Sequence, residues 1–206
     1  MAYSLIGLGV LIQIAVFFIT GGNPLSLLCG VSGVLAVVLC SERKMSYYGW
    51  SLIQMVTFTI ICLQAGLYGK LVETTFNLIT MGIGVYLWSK NMGDGNRVDT
   101  KTLNTDNKVV ATIATMNGWC ILYLILIFVG DSMPFFDATA TSLAFLAQVL
   151  TILRFKENWT VWIVTDVICI IMWTIRGDWC IVTQYLFWII NALYGHRMWT
   201  KNTTIE

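Results

Sequence analysis

Charge is the scarcest property of this chain. Only 11% of its 206 residues are Asp, Glu, Lys or Arg, against 57% hydrophobic side chains, whereas ordinary soluble domains carry roughly 25% charged residues. Together with a mean hydropathy of +0.76, this excludes a water-soluble globule. The 12 basic and 11 acidic residues leave a net charge of +1, which removes the electrostatic basis for nucleic-acid binding. One histidine in the whole chain argues against a histidine-built metal site, and no metal or cofactor is expected. The six cysteines, Cys29, Cys40, Cys62, Cys120, Cys169 and Cys180, show no C-x-x-C pairing. Neither zinc spacing nor a disulfide framework is therefore indicated, and they read as small apolar packers. The absence of H-E-x-x-H, of a paired-acid motif and of a nucleophile beside a base disfavours an intramembrane enzyme, so no catalytic residue is expected.

What the sequence has in abundance is long apolar runs. A membrane-spanning helix takes about 20 residues, and eight are expected, near 2–20, 24–40, 46–65, 71–89, 109–129, 135–154, 158–175 and 179–198. Gly21-Gly22-Asn23-Pro24, Ser41-Glu42-Arg43-Lys44 and Asp131-Ser132-Met133-Pro134 mark the breaks, and 90–108 is the one long polar loop. The first run lacks a basic n-region and is long for an h-region, so it reads as a retained helix rather than a cleaved signal. The distribution of basic residues is an independent check. With eight spans, Arg43, Lys44, Lys90, Arg97, Lys101, Lys108, Arg154, Lys156, Arg197 and Lys201 fall on one side, and only Lys70 and Arg176 on the other. One missed helix would scramble this split. The expectation is an all-α multi-pass protein of a lipid bilayer with both termini cytoplasmic.

The chain also aligns with itself. An offset of 112 residues places Tyr47-x-x-Trp50-x-x-x-Gln54 on Trp159-x-x-Trp162-x-x-x-Asp166. At an offset of 111, Glu73, Asn77, Thr80, Gly84, Trp88 and Lys90 fall on Gln184, Trp188, Asn191, Gly195, Trp199 and Lys201. Two three-helix units follow, 23–90 and 131–201, with an extra helix in 1–22, a loop and linker helix in 91–130 and a tail at 202–206. This 1+3+1+3 plan makes the repeats parallel, because three helices plus one linker is an even number of crossings. Parallel repeats related by an axis along the membrane normal occur in small transporters, with the substrate near midplane between them.

Polar residues within the spans point to that substrate. Trp159, Trp162, Asp166 and Trp173 share one face of the seventh helix, and a rise of about 1.5 Å per residue puts Asp166 roughly 12 Å deep. A carboxylate there costs about 2.5–3.5 kcal/mol on insertion scales, so it should face a wet cavity, a partner or a ligand. No Lys or Arg is expected at matching depth, which leaves protonation or a cationic substrate, and also leaves no lysine for a retinal Schiff base. Gln184, Trp188, Asn191 and Gly195 form a second stripe on the eighth helix, matched by Glu73, Asn77, Thr80 and Gly84 on the fourth. Such amides are either interhelical glue or ligand contacts. Trp162 and Trp188 lie deeper than the interfacial belt, whereas Tyr47, Trp88, Trp159 and Trp199 read equally as belt residues. Indoles, a carboxylate and amides around one space suit a flat, cationic ring with a polar tail.

Glu157 to Asp166, ENWTVWIVTD, followed by Trp188-Ile189-Ile190-Asn191-Ala192-Leu193-Tyr194-Gly195 and Trp199, resembles the PnuC family of bacterial vitamin transporters, whose signature is W-x-x-W-x-x-x-N/D. The resemblance implies a SWEET-like core with an added N-terminal helix, a homo-oligomer such as a trimer, and passage of nicotinamide riboside across the bacterial inner membrane. It further implies facilitated diffusion, with cytosolic phosphorylation trapping the vitamin. By matching position, Trp162 would stack on the pyridinium and Asp166 would hold the riboside or its cation, with Gln184, Trp188, Asn191 and Trp159 nearby. Gln54, Glu73 and Asn77 enter through the internal repeat. Asp166 stands where many relatives have Asn, which adds a formal charge to the site. Thiamine, another flat cation, and nucleosides are alternative substrates within the family, and proton coupling through Asp166 is an alternative mechanism.

Overall fold

A computed structural model describes residues 2–93 and 97–201, so the expected tail at 202–206 lies outside the described residues. Eight helices run in sequence: α1 (Ala2–Thr20), α2 (Pro24–Ser41), α3 (Tyr47–Ala65), α4 (Tyr68–Lys90), α5 (Thr105–Phe128), α6 (Pro134–Ile152), α7 (Asn158–Arg176) and α8 (Trp179–Thr200). Between α4 and α5, β1 (Met92–Gly93) and β2 (Arg97–Val98) pair antiparallel, so the expected long loop is in part a small hairpin. Helix starts follow local chemistry: the Asn23 side chain accepts from Leu25 N ahead of Pro24, and Asn104 accepts from Asn107 N at the start of α5. The Asn104 cap begins α5 four residues before the apolar run suggests.

Six helices, α1, α2, α3, α5, α6 and α7, are long and apolar enough to cross a membrane. The remaining two, α4 with 23 residues and α8 with 22, are long enough but less apolar. Their polar residues, among them Lys70, Glu73, Gln184 and Asn191, are buried inside the bundle rather than turned outward.

One end of the bundle, here the loop face, carries the C-termini of α2, α4, α6 and α8. There the segment after β2 straps the other connections together. Val98 N donates to Arg43 O, Lys101 N to Arg154 O, and Thr100 Oγ1 to Trp199 O. Arg97 pairs with Glu42 at 2.7 Å, and Tyr194 hydrogen-bonds the same carboxylate. At the opposite end an acid of the α5–α6 connection and one of α6 cap another helix. Tyr68 N donates to Asp131 Oδ2 and Gly69 N to Asp137 Oδ2, which starts α4 three residues earlier than expected.

Contacts recur about 111 residues apart. Trp88 Nε1 donates to Thr151 O and Trp199 Nε1 to Cys40 O. Arg43 (φ 60°) and Arg154 (φ 69°) both take left-handed backbone in the α2–α3 and α6–α7 connections. That conformation costs roughly 1–2 kcal/mol outside glycine, and both carbonyls accept from the strap. Helix α2 packs on α3 and α8 just as α6 packs on α7 and α4. A Cβ at Gly84 would come within 2.4 Å of the Tyr48 hydroxyl, and one at Gly195 within 2.6 Å of the Trp159 ring, so both glycines permit close helix approach.

The aromatic residues read as possible belt residues are interior. Trp88 and Trp199 are 0% exposed and Trp159 2%. With Tyr47 and Tyr48 they form a chain of rings from both halves, at centroid separations such as Trp88–Trp199 6.1 Å and Trp159–Trp199 5.5 Å. Hydropathy alone does not distinguish a ring facing headgroups from one facing another ring. Of the cysteines, Cys29, Cys62 and Cys169 pack in the core, but Cys120 is exposed.

Candidate functional site

A cavity of about 140 Å³ lies between α2, α3, α4, α6, α7 and α8. Its wall brings together Gln54 of α3, Glu73 and Asn77 of α4, Trp159, Trp162 and Asp166 of α7, and Trp188 of α8. These are seven of the nine residues singled out from sequence. Asp166 is 2% exposed and faces this space rather than the bilayer side of the bundle. The ring chain closes the cavity toward the loop face: Tyr47, Tyr48 and Trp159 belong to both.

Among the described residues, several polar atoms at this wall have no hydrogen-bond partner: Asp166 Oδ1, Asn77 Oδ1, Trp159 Nε1 and Trp188 Nε1. Buried groups of this kind carry a desolvation penalty unless something satisfies them, so they form a ready set of donors and acceptors for a polar ligand. The Trp162 indole is held differently, since its Nε1 donates to Thr151 Oγ1 at 3.2 Å. That bond fixes the ring plane and leaves its faces as the contact surface.

Gln184 and Asn191 are corrections to the sequence-based site. Neither lines the cavity. The Asn191 amide donates to Val37 O at 3.0 Å and to Ser41 Oγ at 2.7 Å, fastening α8 to α2. Gln184 is 1% exposed and packs into the space left by Gly33, where any Cβ would meet its Nε2 at 2.2 Å. Both share a helix face with Trp188, but the close approach of α2 covers that part of the stripe. Asn191→Ala is expected to lower thermal stability by about 1 kcal/mol, the scale of an interhelical hydrogen bond in a membrane, while ligand affinity stays unchanged. Thermal unfolding and a binding titration on the same sample check this.

The expectation that Asp166 has no basic neighbour also needs correcting. Lys70 is 0% exposed and pairs with Glu73 at 2.5 Å, and it lies within electrostatic reach of Asp166 and Asp137. Read as a loop residue, it instead sits in the first turn of α4, because acids from the α5–α6 connection and α6 cap that turn. Sequence reading also missed Tyr48, Ser51, Met55, Thr74, Thr151 and Tyr185 as wall residues. Their only shared signal is facing inward, and that depends on helix rotation. Gln148, polar within α6 and ambiguous from sequence, lines the cavity.

Residues 23–201 match the family model described as nicotinamide mononucleotide transporter. The chain is 29% identical over 200 residues to the nicotinamide riboside transporter PnuC of Haemophilus influenzae, covering 95% of this chain and 88% of that one. It is 27% identical over 202 residues to the protein of the same name from Neisseria mucosa, covering 92% and 77%. A crystal structure of the vitamin B3 transporter PnuC aligns with a TM-score of 0.86 at 25% sequence identity, covering 97% of this chain and 90% of that one.

Proposed function

Because the chain belongs to the nicotinamide mononucleotide transporter family, we propose that it carries nicotinamide riboside into the bacterial cytoplasm across the inner membrane. The observation that carries this reading is the wall that sets Asp166 against Trp162 and Trp188. A cation over an indole face gains about 2 kcal/mol when desolvated, and a hydrogen bond to a charged partner about 1.5–3 kcal/mol. The pyridinium takes the indoles, while the ribose hydroxyls take Asp166, Asn77 and Gln54.

The wall favours the riboside over its phosphate ester. It contains Asp166 and Glu73 but neither Arg nor Lys, and phosphate recognition rests on such cations. Small-molecule pockets typically measure about 300–1,000 Å³, so at about 140 Å³ the cavity must widen to admit a riboside. This agrees with a site that opens by turns to each side. All eight helices span, the two three-helix units at 23–90 and 131–201 run parallel in a 1+3+1+3 SWEET-like plan, and the loop face with its basic residues is cytoplasmic. Transport is facilitated diffusion, made unidirectional by phosphorylation in the cytosol, and the chain works as a homo-oligomer.

Titration of the purified protein with nicotinamide riboside, nicotinamide mononucleotide and thiamine, read by tryptophan fluorescence, tests the substrate. Saturable quenching is expected with the riboside, and affinity weaker by about tenfold or more with the mononucleotide. Tighter binding of thiamine would transfer the function to that vitamin, and no quenching by any of the three would overturn the reading. In proteoliposomes, riboside equilibration is expected to be indifferent to a pH gradient. Accumulation driven by such a gradient would replace facilitated diffusion with proton coupling.

A further inference from the structure

Two acids, Glu73 and Asp166, stand in the wall of the substrate cavity, and among the described residues no Lys, Arg or His joins them there. Carboxylates within membrane spans need a partner of opposite charge, so the source of that charge decides what the cavity takes.

Glu73 is balanced from behind. Lys70 lies one helical turn before it on α4, is 0% exposed, and donates to Glu73 Oε2 at 2.5 Å. The lysine itself is absent from the wall. Asp137 of α6 is within its electrostatic reach but is engaged with the start of α4. Its Oδ2 accepts from Gly69 N at 2.8 Å and its Oδ1 from Thr141 Oγ1 at 3.3 Å, and a carboxylate at a helix N-terminus is favoured by the amides it faces.

Asp166 has no such arrangement. Its Oδ1 lacks a hydrogen-bond partner among the described residues. Lys70 and Glu73 both act on it, with opposite sign, so as a pair they leave its charge standing. The wall thus holds two acids, the lysine behind it cancels one, and one is left for the cargo.

We infer that Lys70 and Glu73 set the charge of the cargo: by cancelling each other they leave Asp166 as a single unbalanced acid, so the cavity takes an aromatic riboside carrying one positive charge over a neutral one of the same shape. This deepens the carrier reading above and rests on it. Lys70 is a positioning residue that acts through Glu73 without touching the cargo.

Calorimetric titration of the purified full-length protein with nicotinamide riboside and with its reduced dihydro form, whose ring is neutral, provides the test. The wild type is expected to prefer the cation about tenfold or more. Glu73→Gln releases Lys70 to balance Asp166, and the preference should fall about tenfold, toward parity. Lys70→Met, titrated below its lowered melting temperature, leaves both acids unbalanced and should raise the preference above that of the wild type. Combining the two substitutions should return it to the wild-type value. Attraction of the cation to Trp162 and Trp188 is common to all four proteins, so the change in preference reads the acids. A merely structural ion pair would move both affinities together and leave their ratio alone. Either single variant carries the test without the other. A ratio unchanged in the single variants, or a double variant that keeps the ratio of Glu73→Gln, would overturn the proposal. Equal wild-type affinity for the two forms would overturn it while leaving the carrier reading in place, whereas binding of neither form would remove that reading and this one with it.

Discussion

Asp166→Ala is expected to weaken binding of the cationic vitamin about ten- to a hundredfold, the range that follows from losing a charged hydrogen bond worth about 1.5–3 kcal/mol. Asp166→Asn keeps the volume and the hydrogen-bonding capacity of a buried side chain, so it should recover part of the loss. The difference between the two variants reads the contribution of the charge itself. Trp162→Ala should cost about thirtyfold, corresponding to roughly 2 kcal/mol of desolvated cation–π contact. Trp162 and Asp166 face one cavity, so their effects should not add in the double variant. The measurement is tryptophan quenching by nicotinamide riboside, repeated by calorimetry for Trp162→Ala because that variant removes part of the optical signal. Affinity unchanged in both single variants would defeat the site assignment.

The second large effect is on stability. Lys70 is fully buried and forms an ion pair with Glu73, so Lys70→Met leaves a carboxylate in the interior without its cation. Removing one partner of a buried pair costs about 3–5 kcal/mol, whereas replacing both by neutral groups is often nearly neutral. In a chain of this size each kcal/mol corresponds to about 2–4 °C of melting temperature. Lys70→Met should therefore melt roughly 6–20 °C lower. Lys70→Met combined with Glu73→Gln should recover most of that difference. Equal melting of the single and double variants would show that the pair is not what the lysine supports. The same comparison separates stability from recognition, because Glu73 lines the cavity while Lys70 does not.

Much of this protein is legible in its sequence. The helix breaks at Asn23-Pro24 and Asp131 to Pro134, and the spacing of Trp159, Trp162 and Asp166, carry their own local explanations. Caps, turns and the 3.6-residue period are properties of short segments. Self-alignment anticipated that Trp88 and Trp199 occupy matching places, and the two indoles donate to matching carbonyls, Thr151 O and Cys40 O. The failures have a shared origin. Gln184 and Asn191 lie on the same helix face as Trp188, and periodicity cannot tell which part of that face meets the cavity and which meets α2. From sequence Lys70 falls in a loop, because the carboxylates that cap its helix come from 63 and 68 positions away.

Composition and period by themselves determined that the chain lives in a bilayer, that it folds as eight helices, and that a carboxylate and indoles share a helix face. Those features depend on hydrophobicity and on dihedral preferences acting over a few residues. Tertiary structure decided which polar groups face the cavity, which fasten helices together, and where the buried Lys70 finds its acid. Those outcomes depend on helix rotation and on the approach of segments a hundred or more residues apart. The free energy of such contacts arises only after the backbone has brought them together.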